Sequence, residues 1–126
     1  TFPLFIIEQL KDKREVRVVE DQITSASYAK NICYMLLELL KDKHKGIVHV
    51  ADDVRISRLD LAYVIADKLN LDKSLIKRVK MKDMQWIAKR PRDSSLSIEH
   101  AYNILSYKPK RLEESLNMFI NELNSI

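Results

Sequence analysis

Glycine is almost absent from this sequence. Gly46 is the only glycine in 126 residues, whereas the glycine-rich loops that hold nucleotide phosphates need at least two. Neither a G-x-G-x-x-G loop nor a P-loop can form here, and a G-x-S-x-G nucleophile elbow is excluded for the same reason. Cysteine is equally scarce, because Cys33 alone cannot make an internal disulfide or a multi-cysteine zinc site.

Long apolar runs and blocks of like charge are also missing. No stretch approaches the roughly 18 uninterrupted apolar residues of a membrane span, and no basic region precedes an apolar segment as in a signal peptide. We therefore expect a cytoplasmic protein without membrane attachment. The 22 basic and 18 acidic side chains leave a net charge of +4, which is too evenly spread to indicate nucleic-acid binding. Because the chain begins at Thr1 without an initiator methionine, we interpret it as a fragment.

The hydrophobic spacing predicts an α/β chain of helices with short strands. Apolar residues three and four positions apart indicate helices, and β-branched residues that alternate or run together indicate strands. Ser27, Ser57 and Ser97 are predicted N-caps, and Asn70 is a predicted left-handed residue at a helix end. The predicted helices cover 2–10, 28–41, 58–69, 98–105 and 112–123; the predicted strands cover 15–19, 47–51 and part of 75–81, and one helical turn is expected within 83–88.

Two of these segments are predicted to be deeply buried. The second helix carries a wide apolar face, on which Cys33 would be a buried and inert thiol. Residues 47–51 are nearly continuously apolar and β-branched, which is typical of an interior strand covered on both faces. The apolar face of the helix consists of Ala29, Ile32, Cys33, Leu36, Leu37 and Leu40. The three histidines lack a metal-binding spacing, so we assign them structural or surface roles.

Two polar loops are the candidate functional segments. Residues 20–25 combine carboxylate, amide and hydroxyl groups that could bind a sugar or a base edge, and residues 89–94 combine cations with hydroxyls beside Pro91. Arginine suits diphosphates because its guanidinium group donates two parallel hydrogen bonds. Trp86 and Tyr28 lie near these loops and could stack on a ring. The alternatives are an ordinary loop with an N-cap for the first segment, a solvated basic loop for the second, and packing for the rings.

The same two loops make the chain resemble a known family. Five segments carry the resemblance, in the family's order along the chain: Phe2-Pro3-Leu4-Phe5, Asp21-Gln22-Ile23-Thr24-Ser25 with Tyr28-Ala29, Gly46-Ile47-Val48-His49-Val50-Ala51, Ile56-Ser57-Arg58 and Arg90-Pro91-Arg92-Asp93-Ser94-Ser95-Leu96. Through these segments the sequence resembles the C-terminal half of the dTDP-4-dehydrorhamnose reductase family, which belongs to the extended short-chain dehydrogenase/reductases. The family's usual Pro-Thr is replaced by Ala26-Ser27.

This resemblance implies a fold and a division of labour. Residues 1–126 would be the substrate-binding C-terminal region of a Rossmann-type fold whose N-terminal cofactor half is missing, and 46–51 would add a strand to the Rossmann sheet. That missing half would hold NADPH or NADH and the catalytic Tyr-x-x-x-Lys pair, and no tyrosine in this chain has a lysine four residues on. The fragment alone is therefore expected to be inactive. The implied substrate-binding residues are Asp21, Gln22, Thr24, Ser25, Arg90, Arg92 and Ser94, of which Arg90 would approach the diphosphate.

The resemblance also implies partners and leaves one alternative open. The substrate would be a dTDP-sugar, whose 4-keto group is reduced by hydride transfer to form dTDP-L-rhamnose. The exposed edge of a strand at 46–51 would lead to self-association or to pairing with the Rossmann half. The alternative is a non-catalytic regulatory relative, because the β subunit of methionine adenosyltransferase looks similar over the same stretch.

Overall fold

The computed structural model describes all 126 residues, which form two compact units. Residues 1–23 and 56–94 make up the first unit, and residues 24–55 and 95–126 make up the second. The helices are α1 (Phe2–Lys11), α2 (Ala29–Lys41), α3 (Arg58–Lys68), α4 (Glu99–Ile104) and α5 (Leu112–Asn124), and the strands are β1 (Val16–Val19), β2 (Ile23–Thr24), β3 (Ile56–Ser57) and β4 (Ile76–Val79). Short 3-10 turns cover Lys73–Leu75 and Met81–Asp83.

The first unit packs two helices on a parallel pair of strands. β1 pairs with β4 in the register Val16 to Ile76 and Val19 to Val79, and α1 and α3 both pack on β1. The core of this unit is apolar: Ile6, Val18, Ala62, Ile65 and Ala66 are all at most 2% exposed. Arg17 lies between the buried Val16 and Val18, so the alternation of β1 directs the arginine away from the core.

The position of α3 is fixed at both ends by local sequence. Ser57 is its N-cap, and the Ser57 Oγ accepts a hydrogen bond of 3.0 Å from the backbone N–H of Asp60. Such a cap stabilises a helix by about 1 kcal/mol. Asn70, just beyond the C-terminal end, has a positive φ of 52°, which confirms the predicted left-handed residue. Arg58 is thereby held as the first residue of the helix.

The second unit contains α2, α4 and α5 around a small apolar core of Met35, Ala101 and Leu105. A polar network lies beside this core. Asp52 is fully buried and accepts hydrogen bonds from the Tyr28 backbone N–H (2.8 Å), the Ser115 hydroxyl (2.8 Å) and the Asn31 side-chain amide (3.1 Å). The Tyr107 hydroxyl donates to Asn31 Oδ1 at 2.6 Å. Buried polar groups in this network thus have partners, as burial requires.

The structure corrects the predicted burial of α2. The buried residues of this helix are Asn31 and Met35, whereas its apolar stripe is exposed, with Leu37 at 52% and Leu40 at 73%. The prediction that Cys33 is a buried thiol is wrong, because the residue is exposed. The helix also begins after Tyr28; Ser27 is not its N-cap, and the Ser27 Oγ instead accepts from the backbone N–H of Asp52. Amphipathic spacing identified an apolar face without indicating what covers it.

Residues 47–51 form no strand in this chain. Ile47 is 85% exposed, while Ala51 is buried and Val48 and Val50 pack at the edge of the second core. A strand exists only where a neighbouring strand completes its hydrogen-bond ladder. The two sheets of this chain consist of β1 with β4 and of β2 with β3, and neither includes residues 47–51. That residues 46–51 join a sheet of a preceding half stays a prediction.

Smaller differences concern the ends of elements. The turn at Met81–Asp83 replaces the predicted helical turn within 83–88. α4 begins after Ile98, so Ser97 does not cap it. β1 and β4 are shorter than the predicted strands. None of the five α-helices combines the length and the apolar character that a membrane crossing needs.

Candidate functional site

The two polar loops predicted from the sequence meet in the first unit. The backbone N–H of Ile23 donates to the Arg92 carbonyl at 2.7 Å, and the backbone N–H of Ser94 donates to the Ile23 carbonyl at 3.0 Å. Ile23 and Asp93 thus form a parallel bridge. The Ser94 hydroxyl also donates to the Ile23 carbonyl at 3.3 Å. Segments separated by about 70 residues in sequence are therefore joined through their backbones.

Two cavities adjoin these loops, and Met84, Trp86 and Arg90 line both of them. The first, which we call the arginine cavity, has a volume of about 290 Å³ and is lined by Phe2, Phe5, Arg17, Val18, Val19, Gln22, Arg58, Met84, Trp86 and Arg90. The second, the lysine cavity, has a volume of about 570 Å³ and is lined by Asp21, Lys80, Met81, Lys82, Met84, Trp86, Ile87, Ala88, Lys89, Arg90 and Arg92.

The arginine cavity is built to hold an anion. Its lining includes three guanidinium groups, from Arg17, Arg58 and Arg90, and no carboxylate. The other walls are mostly aromatic or aliphatic, and charge attraction is stronger wherever such walls exclude water. Gln22 is the one uncharged polar side chain in the lining. This combination of clustered cations with aromatic rings suits a phosphate group attached to a planar ring.

Arg58 is an incompletely bonded cation of this cavity. Its Cζ lies 4.7 Å above the centroid of the Phe2 ring, and its Nε is buried without any hydrogen-bond partner. Burial, and secondarily the positive charge of Arg90, lower the pKa of the Arg58 guanidinium below its usual value. A nearby carboxylate would raise that pKa. The charge of Arg58 is thus poorly compensated by the protein itself.

Arg90 and Trp86 form the wall between the cavities. The Cζ of Arg90 lies 5.7 Å from the centroid of the Trp86 ring, within cation-π distance. Trp86 is 37% exposed, so part of the ring is open to a ligand. Arg17 approaches from β1, and its Nη2 donates to the Asp83 carbonyl at 3.2 Å.

The lysine cavity is strongly cationic, but nearby carboxylates compensate part of its positive charge. Five of its lining residues are basic, and Asp21 is the only acidic one. The Asp21 carboxylate already has a partner within the protein, because its Oδ1 accepts a hydrogen bond of 2.8 Å from the backbone N–H of Met81. Lys80 forms an ion pair with Glu20 at 2.7 Å, and this hydrogen-bonded contact raises the pKa of Lys80. The remaining positive charge includes Arg90 and Arg92.

Four of the seven predicted site residues line one or both of these cavities. Gln22 lines the arginine cavity, Asp21 and Arg92 line the lysine cavity, and Arg90 lines both. The other three predicted residues, Thr24, Ser25 and Ser94, line neither cavity. Ser25 belongs to the second unit, where its Oγ accepts a hydrogen bond of 3.0 Å from the backbone N–H of Leu96.

Sequence reasoning missed Arg17 and Arg58 as site residues. Arg17 could have been noticed as a cation inside a β-branched strand, and Arg58 as the residue that follows a helix-capping serine. Neither signal is specific, because exposed arginines are common on strands and helix ends. Only the parallel pairing of β1 with β4 and the packing of α3 bring both to one cavity.

A third cavity, of about 520 Å³, lies in the second unit. Its charged lining residues are Asp53, Arg55 and Glu99, so acidic and basic groups are mixed there. None of the predicted site residues lines it.

Comparison with known proteins defines the class of this chain. Its α/β fold matches the C-terminal part of reductases with the extended short-chain dehydrogenase fold. The family profile described as the RmlD substrate binding domain matches residues 1–125. The chain therefore belongs to that family, as the C-terminal substrate-binding part of the dTDP-4-dehydrorhamnose reductase family.

Individual relatives agree with this assignment. A probable low-salt glycan biosynthesis reductase, Agl14 of Haloferax volcanii, is 30% identical over 115 residues, which are 91% of this chain and 38% of the relative. A hypothetical dTDP-4-dehydrorhamnose reductase from Sulfolobus tokodaii is 39% identical with a TM-score of 0.79, over 88% of this chain and 39% of that structure.

A third comparison concerns the fold. The dTDP-4-dehydrorhamnose reductase of Bacillus anthracis, solved in complex with NADP, is 24% identical with a TM-score of 0.88, over 97% of this chain and 43% of that structure. This chain thus spans about two-fifths of the length of these relatives.

Proposed function

We propose that this chain is the substrate-binding part of a nicotinamide-dependent reductase that acts on a dTDP-sugar. The specific reaction proposed is reduction of the 4-keto group of dTDP-4-dehydro-L-rhamnose. The observation that carries the proposal is the backbone junction of Ile23 with Asp93. This junction brings Gln22 and Arg90, from the two sequence-predicted loops, to the lining of one cavity.

In this proposal the chain binds and orients the nucleotide-sugar. Arg90 approaches the diphosphate with Arg92 and Ser94 near it, and Asp21 and Gln22 face the nucleotide-sugar cleft. For Thr24 and Ser25, which line neither cavity, a place in that cleft stays a prediction from the resemblance. The partial exposure of the Trp86 ring supports a stacking role toward the base or sugar. Binding energy from the nucleotide part holds the sugar in place for reaction elsewhere in the protein.

The nicotinamide cofactor is assigned mainly to a different part of the protein. The residues of this chain do not fit its usual phosphate site, because one glycine cannot build the glycine-rich loop. When bound, reduced NADPH or NADH supplies the hydride for the keto carbon. The role of this chain is to hold that carbon in position.

We also propose that α2 and residues 46–51 are covered in the complete protein by a cofactor-binding half. Support comes from the exposed stripe that includes Leu36, Leu37 and Leu40, and from Ile47 at 85% exposure. Contiguous apolar surface of this kind is typical of interfaces. The relatives are more than twice as long as this chain, so they contain additional protein that could cover it.

Calorimetric titration of dTDP tests the proposed function. The natural full-length protein should bind dTDP saturably, and Arg90→Ala should weaken that binding by about tenfold or more, since charged hydrogen bonds to phosphate are strong. Arg14→Ala is the matched control, because Arg14 is an exposed arginine of the first unit paired with Asp12 outside both cavities. A full-length protein that binds dTDP but reduces no dTDP-4-keto sugar with NADPH or NADH would support the regulatory alternative.

A further inference from the structure

We propose that Arg58, together with Arg17, forms a diphosphate-binding subsite with Arg90 in the arginine cavity. The proposal deepens the proposed function, on which it rests only for the identity of the molecule that carries the diphosphate. Neither Arg17 nor Arg58 belongs to the loops that define the predicted site.

The charge of the cavity is the first argument. Three of its lining side chains are guanidinium groups and none is acidic. The positive charge of Arg90 disfavours the protonated form of Arg58, and like charges repel more strongly where water is excluded. A diphosphate carries enough negative charge to offset two or three of them. With about 290 Å³, the cavity has room for a diphosphate but lies at the lower limit of common ligand sites, so the nucleoside would extend beyond it.

The unpaired Nε of Arg58 is the second argument. This Nε is closed to solvent, so a ligand cannot bond it directly, and a buried donor without an acceptor leaves the protonated guanidinium poorly stabilised. The burial of Arg58 and the charge of Arg90 act in the same unfavourable direction on its protonated form. A diphosphate that accepts hydrogen bonds from the terminal nitrogens of the guanidinium would supply at least two negative charges, enough to offset Arg58 and Arg90.

The rigidity of its surroundings is the third argument. The backbone N–H of Arg58 donates to the Gln22 carbonyl at 3.0 Å, and the Ser57 cap fixes the start of α3. The guanidinium lies over the Phe2 ring, with 4.7 Å between the Arg58 Cζ and the ring centroid. Arg17 is held by β1 and by the Asp83 carbonyl. Arg90, by contrast, lies in a segment without regular structure. Arg58 and Arg17 therefore provide the preorganised part of the subsite, to which Arg90 is added.

Titration of the natural full-length protein with inorganic pyrophosphate and with dTDP tests this subsite. The variants are Arg58→Met, which keeps the length and loses the charge, and Arg58→Lys, which keeps the charge and loses the paired donors. Arg14→Met is the matched control. We expect both pyrophosphate and dTDP to bind Arg58→Met at least about tenfold more weakly, Arg58→Lys to bind with intermediate affinity, and Arg14→Met to bind like the wild type.

Thermal unfolding separates binding from packing. Because Arg58 is repelled and incompletely bonded in the free protein, Arg58→Met should unfold at the same or a higher temperature without ligand, yet lose most of the stabilisation that pyrophosphate gives the wild type. A variant that unfolds earlier and binds as before would overturn the subsite and indicate a packing role. If Arg58→Met does not fold, the same comparison is made with Arg17→Met.

The two anions keep this proposal separable from the proposed function. Binding of pyrophosphate but not of dTDP, with loss in Arg58→Met, would support the subsite and count against the dTDP-sugar reductase. Unchanged binding of dTDP in Arg58→Met and Arg17→Met would overturn the subsite and leave the reductase standing. Failure of the wild type to bind either anion would overturn the subsite as well.

Discussion

Arg90 lies over the ring of Trp86, with 5.7 Å between the Arg90 Cζ and the ring centroid. Both side chains line the arginine cavity and the lysine cavity. A ligand that filled either cavity would therefore border this pair. Because Trp86 is the only tryptophan of this chain, a change in emission that is lost on its replacement reports occupancy of these cavities.

The first prediction concerns that reporter. Addition of dTDP should change the tryptophan emission of the full-length protein, because an anion on Arg90 alters the field at the indole and a base can stack on it. Trp86→Phe should remove this change while keeping an aromatic wall, and calorimetry should still detect binding within about tenfold of wild-type affinity. An equal change in emission in wild type and Trp86→Phe would place the ligand away from the pair.

The second prediction concerns the buried Asp52. Asp52→Ala should lower the free energy of unfolding by about 3 kcal/mol or more, because it leaves the Tyr28 N–H and the Ser115 and Asn31 donors without an acceptor. Urea unfolding followed by circular dichroism measures the change. Asp53→Ala is the control, since Asp53 is the adjacent and exposed aspartate. A similar loss in both variants would contradict a special role for the network.

The third prediction concerns acid stability. Hydrogen bonds from the backbone N–H groups of Ser106 (2.5 Å) and Tyr107 (2.9 Å) lower the pKa of the Glu38 carboxyl. A folded-state pKa below the unfolded value of about 4.3 gives stability that is present above that pH and is lost as the pH falls through the folded-state pKa.

Replacement of Glu38 by glutamine should therefore flatten the acid limb of the stability curve, because the titrating group is gone. The measurement is thermal unfolding at pH values from about 2.5 to 6, the window in which a carboxyl with a lowered pKa changes charge. Glu8→Gln, on the exposed face of α1, serves as the control and should retain the wild-type slope. An unchanged slope in Glu38→Gln would show that other carboxylates dominate acid unfolding.

The fourth prediction concerns the apolar stripe of α2. The 126-residue chain on its own should self-associate, because Leu37 and Leu40 are 52% and 73% exposed. A Leu37→Glu/Leu40→Lys double variant should shift the population toward monomer in light scattering coupled to size exclusion. Ile126→Lys, which changes an apolar side chain that is 97% exposed at the C-terminus, should leave the association unchanged. A monodisperse wild-type monomer would contradict the proposed interface.

The sequence by itself determined the helices, the two candidate loops and the family. Helical spacing, the Ser57 cap and the left-handed Asn70 are local properties, so residues near each other in sequence encode them. The loops at 20–25 and 89–94 were likewise recognisable from composition and from five family segments in order. Local patterns could not indicate that the stripe of α2 is exposed or that 47–51 lacks a partner strand in this chain, because both depend on what lies opposite.

Only the tertiary structure decided which cations share a cavity. Arg17, Arg58 and Arg90 come from a strand, a helix start and a loop. Arg17 and Arg58 reach one cavity because β1 pairs with β4 in parallel and α3 packs on β1, and the bridge of Ile23 with Asp93 brings the Arg90 segment there. The unpaired Nε of Arg58 and its repulsion by Arg90 exist only in that arrangement. Charge can be counted along a sequence, whereas its local concentration depends on distances that only the folded chain sets.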